Sequence, residues 1–225
     1  MSLAPTRDLA HYRFPAGVAG TPVRRTVTGE LVSKIFTVTL FSWLAMRLAR
    51  DAVQTGHLTG LLLLASESLV VALTIIRRPA GAVDRSTEAR VLTGVSVIGP
   101  LLVRAASDAA VVPDVLTVLI SGVGLTFVVV GKLSLGRSFG LAPANRGVVS
   151  TGLYRFVRHP IYVGYLITHV GFLIANPLPW NLAILPAADL ALLLRAKCEE
   201  RTLAKDPAYY DYMQRVRWRL VPGVF

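Results

Sequence analysis

The sequence predicts an all-α, polytopic transmembrane helix bundle, and three observations carry that expectation. Of 225 residues, 53% are hydrophobic and only 16% are charged. Mean hydropathy is +0.56, more apolar surface than one soluble core of this length would enclose. The apolar residues come in runs long enough to cross a bilayer, and the basic residues that give a net charge of +11 fall between those runs.

In a soluble chain that charge, with an isoelectric point near 10.5, would point to nucleic acid. Basic residues confined to short segments between apolar runs are instead the signature of cytosolic loops, so membrane lipids are the expected surroundings and no nucleic-acid partner is expected. Cys198 is the single cysteine, which excludes an intrachain disulfide framework, and no Cys/His cluster has zinc spacing. No metal is therefore expected. Residues 1–30 carry Arg7, Arg13, Arg24 and Arg25 with several Pro and Gly, and have neither an apolar centre nor a small-residue cleavage site. They read as a cytosolic N-terminal segment and not as a signal peptide.

A helix crossing about 30 Å of hydrocarbon at a 1.5 Å rise needs roughly 20 mostly apolar residues. Within 31–133 four runs approach that length: Leu31 to Leu48, Leu58 to Ile76, Ala89 to Val103, and Pro113 to Leu133. Residues 134–225 then hold a polar stretch, a fifth run from Ile161 to Ala175, a break at Asn176-Pro177-Leu178-Pro179, and a sixth run from Trp180 to Leu194. The last two read as a tight helical hairpin. Pro100 in the third run and the shortness of the fifth predict kinked or partial crossings there.

With about six spans and the N-terminus inside, the cytosolic segments receive the N-terminal arginines, Arg77, Arg78, Arg85, Arg90, Lys132, Arg137, Arg146, Arg155, Arg158 and most C-terminal basic residues. The outer loops keep Arg47, Arg50 and Arg104, offset by Asp51, Asp108 and Asp114. Both termini are accordingly expected in the cytosol. An Ala-, Val-, Leu- and Arg-rich chain of this kind reads as a multi-pass protein of a bacterial cytoplasmic membrane.

The density of Gly, Arg and Tyr between the fourth and fifth runs breaks the hydropathy, in Leu135-Gly136-Arg137-Ser138-Phe139 and again in Gly152-Leu153-Tyr154-Arg155-Phe156-Val157-Arg158-His159-Pro160-Ile161-Tyr162-Val163-Gly164. Pro160 suits the first turn of a helix, which places Arg158 and His159 at its cytosolic mouth beside unpaired N–H groups. Gly164, one turn on, permits a ligand or a neighbouring helix to come close. Taken alone, these residues also fit topology anchors, a solvated cap and a helix contact.

Where the sixth run ends, Arg195 and Glu199 are four apart and share a helix face, the spacing of an ion pair. Glu199 and Glu200 are adjacent, so at most one of them aims into a given pocket. The hairpin returns this helix end to the side of His159. Beyond it, Tyr209, Tyr210, Tyr212, Arg215, Arg217, Trp218 and Arg219 alternate aromatic and basic residues and read as a membrane-surface anchor. Within the spans, Glu67 and Asp189 are each costly by roughly 2.5–3.5 kcal/mol unless they face the bundle interior. Tunnel lining and interhelical hydrogen bonding both remain open for them.

The ordered set Arg158-His159-Pro160-Ile161-Tyr162-Val163-Gly164, Glu199-Glu200, Tyr209-x-x-Tyr212 and Pro222 resembles the isoprenylcysteine carboxyl methyltransferase family, which has phospholipid methyltransferase relatives. The resemblance spans roughly Leu133 to Phe225. It implies an S-adenosylmethionine-dependent enzyme whose cofactor pocket draws on Arg158, His159, Pro160, Tyr162, Gly164, Glu199 and Glu200. His159, Arg195 and Glu199 are the implied catalytic residues, with Tyr154 and Arg195 toward the acceptor. It also accounts for the missing Rossmann fingerprint, since Gly122 and Gly124 lie inside an apolar run and read as helix-packing glycines. The chain departs from the family where a His usually precedes Leu-Val-x-x-Gly-x-Tyr: here Arg146 stands, followed by Val148-Val149.

The implied reaction is O-methylation of a lipophilic carboxylate, such as an isoprenylcysteine, with no obligate protein partner. An ionised carboxylate needs no general base, and Arg195 is a candidate to orient it; a hydroxyl or amine acceptor would call on His159 or a glutamate. Phospholipid N-methylation, an NADPH-dependent sterol-type reductase and a non-catalytic membrane scaffold are the competing readings.

Overall fold

The structure is a computed structural model that describes residues 27–55, 58–104 and 112–224. Arg7, Arg13, Arg24, Arg25 and Asp108 of the cytosolic and outer segments lie outside the described residues. Seven α-helices occur among those described: α1 (Val27–Thr55), α2 (Leu58–Ile76), α3 (Thr87–Ile98), α4 (Asp114–Leu135), α5 (Pro160–Ala175), α6 (Pro179–Leu203) and α7 (Pro207–Arg215). A two-residue antiparallel pair, β1 (Ala82–Val83) with β2 (Ala144–Asn145), clips the segment after α2 to the segment after α4.

Two stretches, Glu30–Arg50 and Val115–Ser138, have the length and composition to cross a membrane, and Leu61–Ile76 and Pro160–Ala175 are shorter apolar helices. The third run is shortened. Its α-helix stops at Ile98, and Pro100 falls in a 3₁₀ turn, Gly99–Leu102, because a proline ring cannot continue the regular hydrogen-bond ladder. Phe36, Val115, Leu119 and other large apolar side chains point outward from the bundle, an arrangement suited to lipid and not to water.

Helix α1 packs on α2, α2 on α4, α4 on α5, and α3 on α6. The α4–α5 seam is the tightest. A Cβ at Gly164 would stand 2.6 Å from the Gly124 carbonyl oxygen and 2.8 Å from the Val128 nitrogen, so the two backbones meet because neither glycine has a side chain. The packing role expected of Gly124 is therefore observed. Gly122 is different: a Cβ there would meet nothing within 4 Å, since two residues along a helix turn it to another face.

Two further expectations are corrected. Lys132 is not a loop anchor; it lies fully buried in α4, donating to Ser66 Oγ at 2.8 Å and to the Ser66 carbonyl at 3.0 Å, with Glu67 Oε1 at 3.7 Å. Its long stem lets a cation near the helix end reach inward to a carboxylate that would otherwise be unpaired. The C-terminal segment does more than lie at a surface, although Trp218 and Val221 stay exposed. Tyr209 and Tyr212 of α7 are buried, and the chain after α7 returns to pair with the entrance of α5.

At the opposite end of the bundle, fully buried Asn181 ties the loop after α3 to the α5–α6 hairpin. Its side chain accepts from the Arg104 N–H at 3.0 Å and donates to the Arg104 and Asn176 carbonyls at 2.8 and 2.9 Å. These bonds set the angle at which α5 and α6 return toward the site.

Candidate active site

Pro160 opens α5 as expected, with His159 as its N-cap residue. The N–H groups just outside this helix do not wait for a ligand. Arg158 N–H donates to the Trp218 carbonyl at 2.9 Å and His159 N–H to the Arg219 carbonyl at 2.8 Å, so the returning tail satisfies them.

Glu200 is the centre of a buried ionic cluster. It accepts from Arg158 Nε at 2.8 Å and Nη2 at 3.3 Å, from Arg219 Nε at 2.7 Å, and lies 3.1 Å from His159 Nε2. Burial by itself would raise this carboxyl, but the hydrogen bond and charge of His159, with Arg158 and Arg219, outweigh it and hold the group at about 2. Arg158 also donates from Nη1 to the Val216 carbonyl at 3.1 Å. Three chain segments are thereby locked together: the entrance to α5, the end of α6 and the tail.

Glu199 faces the other way. Tyr162 donates its hydroxyl to Glu199 Oε1 at 2.7 Å, Arg195 donates from Nε to the same oxygen at 3.1 Å, and His159 Nδ1 stands 3.8 Å from Oε2. Arg195 lies over the Tyr162 ring, 5.4 Å from its centroid, and His159 stacks on that ring at 5.2 Å. The remaining Arg195 donors go to Ser96 Oγ at 3.3 Å and to the Leu141 carbonyl. The expected Arg195–Glu199 pair exists, and it is one edge of a wider network.

These groups form one wall of a cavity of about 880 Å³. Tyr154, Arg158, His159, Tyr162, Arg195 and Glu199 line it, while Pro160, Gly164 and Glu200 are not among its lining residues. The reason is geometric. Gly164 is turned into the α4 seam, Pro160 is packed inside the first turn, and the two oxygens of Glu200 are taken by Arg158, His159 and Arg219.

Several lining residues were not among the site residues expected from the sequence. Tyr209 and Tyr212 line the cavity, with ring centroids 5.5 Å apart, and Tyr212 donates to the Tyr154 carbonyl at 2.7 Å. Burial, with the charge of Glu199, pushes the Tyr154 hydroxyl well above its usual range, so it stays a neutral donor. Deeper along the cavity His169 Nδ1 is 2.6 Å from Asp189 Oδ1, and Glu67 accepts from Ser66 Oγ at 3.0 Å. Glu67 and Asp189 thus both line the cavity and both have partners. His169 follows Tyr162 and Tyr165 at helical spacing, a signal of the shared face that the sequence did contain.

No curated protein matches the chain. Residues 115–205, from the first turn of α4 past the end of α6, match the Isoprenylcysteine carboxyl methyltransferase (ICMT) family. That stretch contains Tyr154, His159, Tyr162, Arg195 and Glu199, and the match is to a methyltransferase family and not to a reductase family. The stretch that supplies most of the polar wall of this cavity is thus similar to the isoprenylcysteine carboxyl methyltransferase family, whose members are membrane enzymes that methylate carboxyl groups with S-adenosylmethionine.

Proposed function

We propose that the polar wall of the cavity holds S-adenosylmethionine and that its apolar continuation between the helices holds the hydrocarbon of an isoprenylated acid. The observation that carries this reading is the convergence of Tyr162, Arg195 and His159 on Glu199 at the wall of an 880 Å³ space that continues past Leu125, Leu185 and Leu192. A space of that size takes a drug-sized cofactor together with part of a lipid chain. The residues also suit the group: a carboxylate and several ring faces for a cationic, aromatic cofactor, and a buried arginine nitrogen without a partner for its carboxylate.

When bound, S-adenosylmethionine supplies an already activated methyl electrophile. The chain then has to position and desolvate an acceptor, and a carboxylate acceptor is ionised at neutral pH and asks for no proton transfer. Glu199 and the aromatic faces of Tyr154 and Tyr162 give the cofactor site its negative and π-rich character. Arg195, with its donors on Glu199, Ser96 and Leu141, acts as a positioning residue that holds Glu199 and the Tyr162 ring in place. Glu200, Arg158 and Arg219 hold the tail over the mouth, and Gly164 lets α5 approach α4 closely enough to place Tyr162.

Six crossings with both termini in the cytosol accompany this proposal. It is supported by basic residues at the site end and by Arg47, Arg50 and Arg104 as the few basic residues opposite, where Arg47 and Arg104 lie over the rings of Trp43 and Trp180. Because Cys198 is fully buried, single cysteines at exposed Ser150 and Pro113 report the orientation cleanly. An impermeant thiol reagent should reach Ser150→Cys only from the cytosolic side and Pro113→Cys only from the other; labelling of both from one side would overturn the arrangement.

The site itself is tested by calorimetric titration of the purified chain with S-adenosylhomocysteine and with NADPH. Binding of the former, weakened in Glu199→Ala, is expected. Binding of NADPH alone, or an unchanged affinity in Glu199→Ala, would sink the assignment.

A further inference from the structure

Three arginines are buried against the cavity, and the protein satisfies two of them. Arg158 is held by Glu200 and the Val216 carbonyl; Arg195 by Glu199, Ser96 and the Leu141 carbonyl. Arg146 is the exception. It is 8% exposed and lines the cavity, its Nε has no hydrogen-bond partner, and no carboxylate among the described residues stands within ion-pair distance.

The side chain is placed there by its surroundings. β2 is clipped to β1 immediately before it, and the Arg146 carbonyl accepts from Ser138 Oγ at 3.1 Å. Its guanidinium lies against Gly140, where a Cβ would stand 2.8 Å from Arg146 Cζ. Burial, and next the like charge of Arg77, lower the guanidinium to about 10, still charged at neutral pH. Glu199 and Glu30 offset part of this from a distance, but the buried Nε–H itself has no acceptor, and at a cavity wall such a group marks a place where a bound anion supplies the missing hydrogen bond.

We propose that Arg146 is the carboxylate-binding residue of the cavity, completed by the carboxylate of a bound reactant. This rests on the methyltransferase reading above. A guanidinium fork matches the two oxygens of a carboxylate, and both reactants carry one: the acid that is methylated, and the amino-acid end of the cofactor. Carboxylate recognition thereby falls to Arg146 and not to Arg195, whose donors are engaged by Glu199, Ser96 and the Leu141 carbonyl. If the acceptor is the source, esterification abolishes the charge that Arg146 holds, and the neutral ester leaves more readily than the acid enters.

The test uses the full chain in detergent micelles, with Arg146→Gln and Arg146→Lys. S-adenosylhomocysteine and its decarboxylated analogue are titrated by calorimetry, KM and kcat are measured for S-farnesylcysteine, and its carboxamide-terminated counterpart, which has no carboxylate to methylate, is measured as a competing ligand. With the cofactor as source, the wild type prefers S-adenosylhomocysteine over the decarboxylated analogue at least about tenfold, and Arg146→Gln erases the preference with acceptor KM unchanged. With the acceptor as source, Arg146→Gln leaves both cofactor affinities unchanged and raises acceptor KM at least about tenfold while kcat moves less. Arg146→Lys should fall between in either case. An Arg146→Gln chain with wild-type affinity for both carboxylates overturns the proposal. So does a wild type that discriminates neither the decarboxylated cofactor nor, as a competing ligand, the carboxamide, a result that does not depend on the variant folding. Failure of the wild type to bind S-adenosylhomocysteine at all overturns the cofactor site first, and this role with it.

Discussion

The Tyr162 hydroxyl and Glu199 Oε1 meet at 2.7 Å across the α5–α6 hairpin, joining residues 37 positions apart at the wall of the cavity. A hydrogen bond to a charged group contributes about 1.5–3 kcal/mol. Tyr162→Phe removes it and leaves Glu199 with Arg195, so affinity for S-adenosylhomocysteine should fall about tenfold or more with the fold retained. Calorimetry with circular dichroism separates these effects; a folded Tyr162→Phe chain with wild-type affinity would remove the pair from the site.

Glu200 should govern stability in acid. Its carboxyl sits at about 2 in the folded chain against an ordinary value of 4.5, so the interaction is complete above pH 4.5 and is lost as the pH falls toward 2. Thermal unfolding in micelles should show a midpoint that drops across that window. Glu200→Gln leaves Arg158 and Arg219 without their buried counter-ion, at a cost of about 3–5 kcal/mol near neutrality, and should lose this part of the acid dependence. Equal acid profiles for both chains would contradict the assignment.

Gly164 and Gly122 form a matched pair for the α4–α5 seam. Gly164→Ala forces a Cβ toward backbone atoms at 2.6–2.8 Å and should destabilise by about 1–3 kcal/mol. Gly122→Ala enters open space and should stay within about 0.5 kcal/mol of wild type. Unfolding midpoints of the two variants decide it, and a Gly164→Ala chain as stable as Gly122→Ala would rule out the close seam.

The returning tail should matter to binding although it follows the last cavity-lining helix. Deleting residues 216–225 removes the carbonyls that take the Arg158 and His159 N–H groups, the Val216 carbonyl under Arg158, and the Arg219 partner of Glu200. Affinity for S-adenosylhomocysteine should drop at least about tenfold. Tyr212→Phe, which removes one bond to the Tyr154 carbonyl, should cost about 1 kcal/mol of stability. A truncated chain that binds as the wild type does would make the tail dispensable.

Much of this was legible along the chain. Apolar runs, the Pro160 helix start, the Asn176–Pro179 break and the spacing of Arg195 with Glu199 are local features, and each appears where local rules put it. Pro100 announced the shortened third helix. The roles of Lys132 and the tail were not legible, because a basic residue near a helix end and an aromatic-basic segment look alike whether they face lipid headgroups or a partner inside the bundle. Asn181 and His169 were silent for the same reason: a lone polar residue in an apolar run shows its cost but not its partner.

By itself the sequence determined a multi-helix, lipid-suited chain and the family that residues 115–205 are similar to, since hydropathy and ordered motifs are properties of neighbouring residues. Only the tertiary structure decided which of two adjacent glutamates faces the cavity and which is consumed by Arg158, His159 and Arg219. It also decided that Arg146, one arginine among many, is the one at the cavity wall whose Nε has no partner. The physical reason is common to both: a charge's role depends on which opposite charges and which solvent surround it, and those neighbours come from segments distant in sequence.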